Sequence, residues 1–146
     1  PDGSDVAAKQ TFMAQYQEYL SKMARKRREY IICGTWHIAH KTIDLENWAD
    51  NQTMPGFKPE ERAWMDQVFG PTGFIDTFRE INRDAGEYTW WPKLDQEVPR
   101  SRQEGWRIDY QIVGPEFRRH VVDAWIDYDA TFSEFAPLIV EYDLTI

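Results

Sequence analysis

Apolar residues recur at spacings of three and four early in the chain, at Phe12, Tyr16, Tyr19, Leu20 and Met23. That period predicts an amphipathic helix from Val6 to about Arg28, roughly six turns long. Ser4 or Asp5 is placed to cap it. The pattern then changes. Tyr30–Cys33 is a short apolar run and reads as a buried strand that passes through Gly34 into a polar loop. Asn47–Thr53 is loop-like. Pro59-Glu60-Glu61-Arg62 opens a second helix, with Pro early and acids in its first turn, running through Trp64, Met65 and Val68 to about Phe69. Gly70–Gly73 is a turn, and Phe74–Glu80 is a short helix or turn carrying Asp76 and Arg79. Tyr88–Trp91, Trp106–Val113, Val121–Ile126 and Pro137–Leu144 read as strands. Pro92–Gly105 is polar, contains two Pro and reads as a loop. Pro115–His120 is a turn or short helix, and Asp127–Glu134 a loop. There is no internal repeat, and the mixture of helices and short strands indicates α/β or α+β.

The 146 residues are most simply one domain, 1–146, with enough material for a core. Hydrophobic residues make up 42% and aromatics 15%, which argues against intrinsic disorder. The net charge of −8 and pI near 4.9 argue against a protein that coats nucleic acid. They leave room for a local basic face, and Lys22, Arg25, Lys26, Arg27 and Arg28 cluster at the predicted end of the first helix. A solvated helix C-terminus explains these better than phosphate contact. The single Cys33 excludes an internal disulfide framework and fits an intracellular, reducing compartment, cytoplasm or organelle matrix. No apolar run reaches the length of a membrane span, and no secretory signal is visible. The start at Pro1 fits removal of an initiator Met, a transit-peptide cut or a boundary within a longer chain. Cys33, His37 and His40 have a spacing that invites a zinc reading. A strand cysteine makes an awkward ligand in that set, and the expectation is no metal.

Four segments, in order, carry a resemblance. They are Ile31-Ile32-Cys33-Gly34 through Ala39-His40-Lys41-Thr42-Ile43-Asp44-Leu45; Gly56-Phe57-Lys58-Pro59-Glu60-Glu61-Arg62-Ala63-Trp64; Tyr88-Thr89-Trp90-Trp91 with Gly105-Trp106-Arg107-Ile108-Asp109-Tyr110; and Phe132-Ser133-Glu134-Phe135-Ala136-Pro137-Leu138. Together they resemble the exonuclease III family, Mg-dependent nucleases that cut DNA at abasic sites. The resemblance extends across nearly the whole chain, yet family members are nearly twice as long. It implies an α/β fold, the C-terminal half of a four-layer α/β sandwich, with a mixed sheet flanked by helices. An unpaired sheet edge and an uncovered apolar face are then expected, to be covered by another protein chain standing for the N-terminal half.

The same resemblance makes the chemistry doubtful. It implies an Asp that activates water at the position of Thr35, an Asn that contacts the scissile phosphate at His37, and an Asp-His pair at Glu134 and Phe135. Thr35 is no base near neutral pH, and Phe135 can neither donate, accept nor carry charge. Asp109 matches a position near the metal and is retained, more simply for packing and hydrogen bonding than for catalysis. Arg107, Trp90 and Trp91 are the candidate DNA contacts. The main expectation is therefore a catalytically degenerate, structural or interaction subunit of a larger assembly, with no cofactor. The alternative is a subunit or fragment of a DNA-repair nuclease, of the abasic-site endonuclease and 3′-exonuclease type, using Mg. A DNA-binding module without catalysis is a third possibility that the acidic charge disfavours.

Overall fold

The computed structural model describes residues 5–145. Helix α1 spans Val6–Ala24, and Asp5 caps it by accepting a hydrogen bond from the Ala8 amide at 2.9 Å. Ser4, the other expected cap, lies outside the described residues. The helix stops four residues before the predicted Arg28. Its last turn tightens, with the Lys26 amide on the Met23 carbonyl, and the crowded like charges of Lys22, Arg25 and Lys26 disfavour continuation. Strand β1 (Ile31–Thr35) follows, then a tight helical turn over Thr42–Asp44 and helix α2 (Pro59–Phe69). Strand β2 (Ile75–Asp76) runs into helix α3 (Thr77–Ile81), where sequence indicated only a helix or turn. Strands β3 (Asp109–Val113), β4 (Val121–Ile126) and β5 (Leu138–Tyr142) complete the described strands, and Arg100–Arg102 and Pro115–His120 form two further tight helical turns.

Among the described residues two sheets form: a three-stranded one in the order β1-β3-β2 and a two-stranded one of β4 and β5. Every strand pairing among the described residues is antiparallel. Two expected strands are corrected. Tyr88–Trp91 makes only isolated bridges, through Trp90 to Trp106 and Phe135. Trp106–Ile108 is not part of β3, because Trp106 bridges Trp90 and Leu45 while the Arg107 amide bonds to the Asp44 carbonyl. Nor is β1 buried as expected: of its residues only Ile32 is even half-buried.

The largest core cluster joins Met13, Leu20 and Met23 of α1 to Met65 and Val68 of α2, with Ile38, Phe74, Tyr110 and Ile112. The Trp64 indole donates to the Met13 carbonyl at 2.9 Å, fixing one helix against the other. A second cluster, around Phe78, Tyr88, Trp91, Ala124 and Ile126, joins α3 to the β4–β5 sheet. Between them lies a buried charge network. Asp44 accepts from Arg107 Nε at 2.8 Å and from Arg79 Nη2 at 2.6 Å, and Arg107 Nη2 reaches Asp76 Oδ2 at 2.6 Å. This network holds the turn at Asp44, the cap of α3 and the entry to β3 in one place, two residues before Asp109. Among the described residues, no helix is long and apolar enough to cross a membrane.

Candidate functional site

The register of β1 on β3 places Thr35 directly opposite Asp109. The Thr35 hydroxyl donates to Asp109 Oδ1. On the other side, the hydroxyl of the fully buried Thr89 accepts from the Ile108 and Asp109 amides at 3.1 and 3.3 Å. Asp109 Oδ2 is sealed from solvent and has no hydrogen-bond partner among the described residues. Burial pushes the Asp109 carboxyl above the usual carboxylate range; the hydrogen bond from Thr35 opposes that without cancelling it.

His37 follows two residues after Thr35, with its backbone in the left-handed region at φ 53°. Its carbonyl accepts from Lys9 Nζ at 3.2 Å. Gly56 makes the close approach possible, because a Cβ there would lie 2.9 Å from the same carbonyl oxygen. Desolvation, then the charge of Lys9, lower the His37 imidazole pKa.

Phe135 joins two cavities. One, of about 290 Å³, is lined by Thr35, Asp109, Ser133 and Phe135. The other is a groove of about 810 Å³ lined by His37, Trp90, Trp106, Glu134 and Phe135, with Asn47, Asn51, Lys93 and Arg102. Trp90 and Trp106 meet edge to face at 6.4 Å. The fold thus brings Thr35, His37, Asp109, Glu134, Phe135 and Trp90 to one end of the sheet.

Two candidate DNA contacts are elsewhere. Trp91 is 2% exposed, with Arg100 over its ring at 5.3 Å, so no base can stack on it. Arg107 is 1% exposed, and its donors are spent on Asp44 and Asp76. Both corrections have one cause: a bulky or charged side chain looks the same in sequence whether it faces water or an internal partner. Sequence reasoning also passed over two residues that the site uses, Thr89 and Trp106. Both lie inside segments that carry the family resemblance, but nothing in their local pattern marks their roles.

A magnesium site needs several hard oxygen ligands. Here Asp109 gives one oxygen to Thr35, and Glu134 is exposed. No cluster of three or more His, Cys, Asp or Glu side chains suited to a metal occurs among the described residues. The zinc spacing is dispersed as well. His40 Nε2 is engaged with Asp66 at 2.7 Å, and Cys33 stands on β1.

No family model matches the chain. Individual proteins do. It is 34% identical over 137 residues to the exodeoxyribonuclease of Streptococcus pneumoniae, covering 93% of this chain and 49% of that one. It is 33% identical over 131 residues to the DNA repair nuclease APEX1 of Danio rerio, covering 89% and 41%. An AP endonuclease structure from Archaeoglobus fulgidus superposes with a TM-score of 0.85 at 22% identity, over 98% of this chain and 56% of that chain. The chain spans about half the length of the relatives it matches, so the whole proteins' activities do not transfer with the alignment. Its homologues are exonuclease III-family proteins, and it has the fold of the C-terminal half of those proteins.

Proposed function

We propose that this chain is an exonuclease III-type domain whose catalytic positions have been replaced, and that it acts as a structural or interaction part of a larger assembly. The observation that carries the reading is the state of Asp109, a carboxylate retained in the middle of the site. Thr35 satisfies one of its oxygens, the other is sealed, and Phe135 lines the same cavity. A general base needs an accessible lone pair, which the sealed Oδ2 of Asp109 does not offer, and Phe135 brings no hydrogen-bond donor. His37 keeps a ring that can donate, but from a left-handed backbone position better suited to Asn.

The test is cleavage. The chain is incubated with Mg and duplex DNA containing an abasic site, alone and joined to the preceding half of the pneumococcal relative. No cleavage is expected in either case. Replacing Thr35 with Asp, His37 with Asn, Glu134 with Asp and Phe135 with His in the joined protein is expected to restore it. Cleavage by the unreplaced sequence sinks the reading.

A second reading, a subunit of a Mg-dependent DNA-repair nuclease, is favoured by one observation. The groove lined by Trp90, Trp106, Lys93 and Arg102 has the apolar walls and cations that suit an unpaired nucleotide. It predicts that duplex affinity falls steeply with salt.

A further inference from the structure

We infer that the loop 130–135 is a preorganised docking element, anchored on Phe132, for an apolar pocket rimmed by cations on a partner polypeptide. The inference rests on the reading above, that the domain works as an interaction part, and names the element through which it does so.

Arg100 fixes the loop. It is 7% exposed, and among the described residues it has no carboxylate partner. A guanidinium buried without an anion is costly unless other groups satisfy its N–H donors. Three carbonyls of one loop do so. Arg100 Nη1 donates to the Ala130 and Phe135 carbonyls at 3.1 Å, and Nη2 donates to the Ser133 carbonyl at 2.5 Å. The Phe135 amide also donates to Ser133 Oγ at 3.0 Å. Both flanks are tied down, the Asp127 amide to the Pro137 carbonyl and the Ala136 amide to the Thr89 carbonyl. The held carbonyls of Ala130 and Ser133 bracket Phe132. Its ring nevertheless stands 84% exposed, more than any other large apolar side chain among the described residues. A single surface aromatic is ordinary. One whose backbone is fixed from both sides has already lost the freedom that binding would otherwise remove.

The charge of the loop selects the partner. Positions 127–135 contain Asp127, Asp129 and Glu134 and no Lys or Arg. Asp129 and Glu134 are exposed, and none of the three acids forms an ion pair among the described residues. An aromatic anchor between unpaired carboxylates suits an apolar pocket with Lys or Arg at its rim. The ring supplies the contact energy, and the rim sets orientation and encounter rate. A rim cation can also lie against the ring face. The same carboxylates repel a phosphate backbone, which places a polypeptide ahead of a nucleic acid. Phe132 lines the cavity of about 290 Å³ shared with Thr35, Asp109 and Phe135, so a partner seated on Phe132 meets the mouth of that cavity.

The probe is a labelled amphipathic helical peptide of Leu and Lys, with a Leu and Glu peptide of the same pattern as control; fluorescence anisotropy reads binding to the chain. The Leu–Lys peptide is expected to bind with an affinity that falls with salt, and the Leu–Glu peptide at least about tenfold more weakly. Phe132→Ser should weaken the Leu–Lys peptide by about tenfold or more at unchanged Tm. Asp129→Asn with Glu134→Gln should weaken it too and flatten the salt dependence. Arg100→Lys keeps the charge but loses the planar fork. It should weaken binding and speed exchange of the Phe135 amide. Added to Phe132→Ser it should cost no further affinity, a coupling that a merely structural role would not produce. Equal binding by the parent and Phe132→Ser, or no binding of the Leu–Lys peptide, overturns the inference. An Arg100→Lys chain that binds as the parent does refutes the clamp. Tighter, Phe132-dependent binding of a single-stranded oligonucleotide overturns the choice of a polypeptide. A mass that doubles with concentration, and no longer does so in Phe132→Ser, assigns the anchor to a second copy and overturns the chosen partner. Failure of the peptide leaves the proposed function standing, whereas cleavage of DNA by the unreplaced joined protein overturns that function and leaves the anchor standing.

Discussion

Replacing Asp44 with Asn perturbs the residue that ties the charge network together while hardly changing its volume. The carboxylate is 1% exposed. It accepts from Arg107 Nε at 2.8 Å, from Arg79 Nη2 at 2.6 Å and from the Lys41 amide at 2.9 Å. Burial by itself pushes its pKa up, but the guanidinium groups of Arg107 and Arg79 more than offset that and hold it at about 2, against 3.8 for a free Asp. Because the folded value is depressed, the charge stabilises the fold above about pH 4, and that contribution is lost as pH falls through about 2. A shift of this size is worth about 2 to 3 kcal/mol. Removing the charge also leaves Arg107 with Asp76 as its one remaining anion. The expected total is roughly 3 kcal/mol, the lower end for breaking a buried pair, because Asp76 still neutralises the arginine. For a chain of this size that is a fall of about 6 to 12 °C in Tm. Urea denaturation followed by tryptophan fluorescence measures it. The gap between the parent and Asp44→Asn should be largest near neutral pH and narrow by more than half near pH 2.5. Parallel pH curves for the two proteins, or a loss under about 1 kcal/mol at neutral pH, would refute the assignment of this network as a main tie between the Asp44 turn, α3 and the entry to β3.

Asp109→Asn should behave in the opposite sense. Burial raises the Asp109 pKa, so its contribution is present below the ordinary carboxyl range and lost as pH rises through the folded value; the variant should be at least as stable as the parent at neutral pH by thermal melting, and a clear loss contradicts this account. Leu20→Ala removes a fully buried side chain from the main core and should cost about 2 to 5 kcal/mol in urea denaturation. Gly105→Ala places a Cβ 2.7 Å from both the Trp91 Nε1 and the Tyr88 Cβ. It should cost about 1 to 3 kcal/mol and change the tryptophan emission; unchanged emission would mean that the loop adapts freely. His40→Gln should flatten the acid side of the stability profile, because burial lowers the His40 pKa and the neutral ring's contribution is lost as pH falls below its unfolded value.

The elements that announced themselves were those in which local chemistry and tertiary packing agree. The spacing of Tyr16, Leu20 and Met23 gave α1, and Pro59 with Glu60 and Glu61 gave the start of α2. Asp5 capped as its residue type allowed. The four family segments carried the fold class and the positions that meet at the site, because Thr35, His37, Asp109 and Phe135 lie at fixed places within them. Sequence could not tell an inward side chain from an outward one where both choices are chemically reasonable. Arg107 and Trp91 resembled DNA contacts, yet one is held by Asp44 and Asp76 and the other is packed beneath Arg100. Tyr30–Cys33 looked like a buried strand, and β1 instead stands at an edge, since an apolar run does not say whether both of its sides find partners. The sequence alone determined where α1 and α2 begin and which family the chain resembles, because these depend on residue type and short-range spacing. Only the tertiary structure decided that Asp109 is shut in by Thr35 and that Arg107 belongs to the interior. Those facts depend on register across β1 and β3, which joins residues more than seventy positions apart.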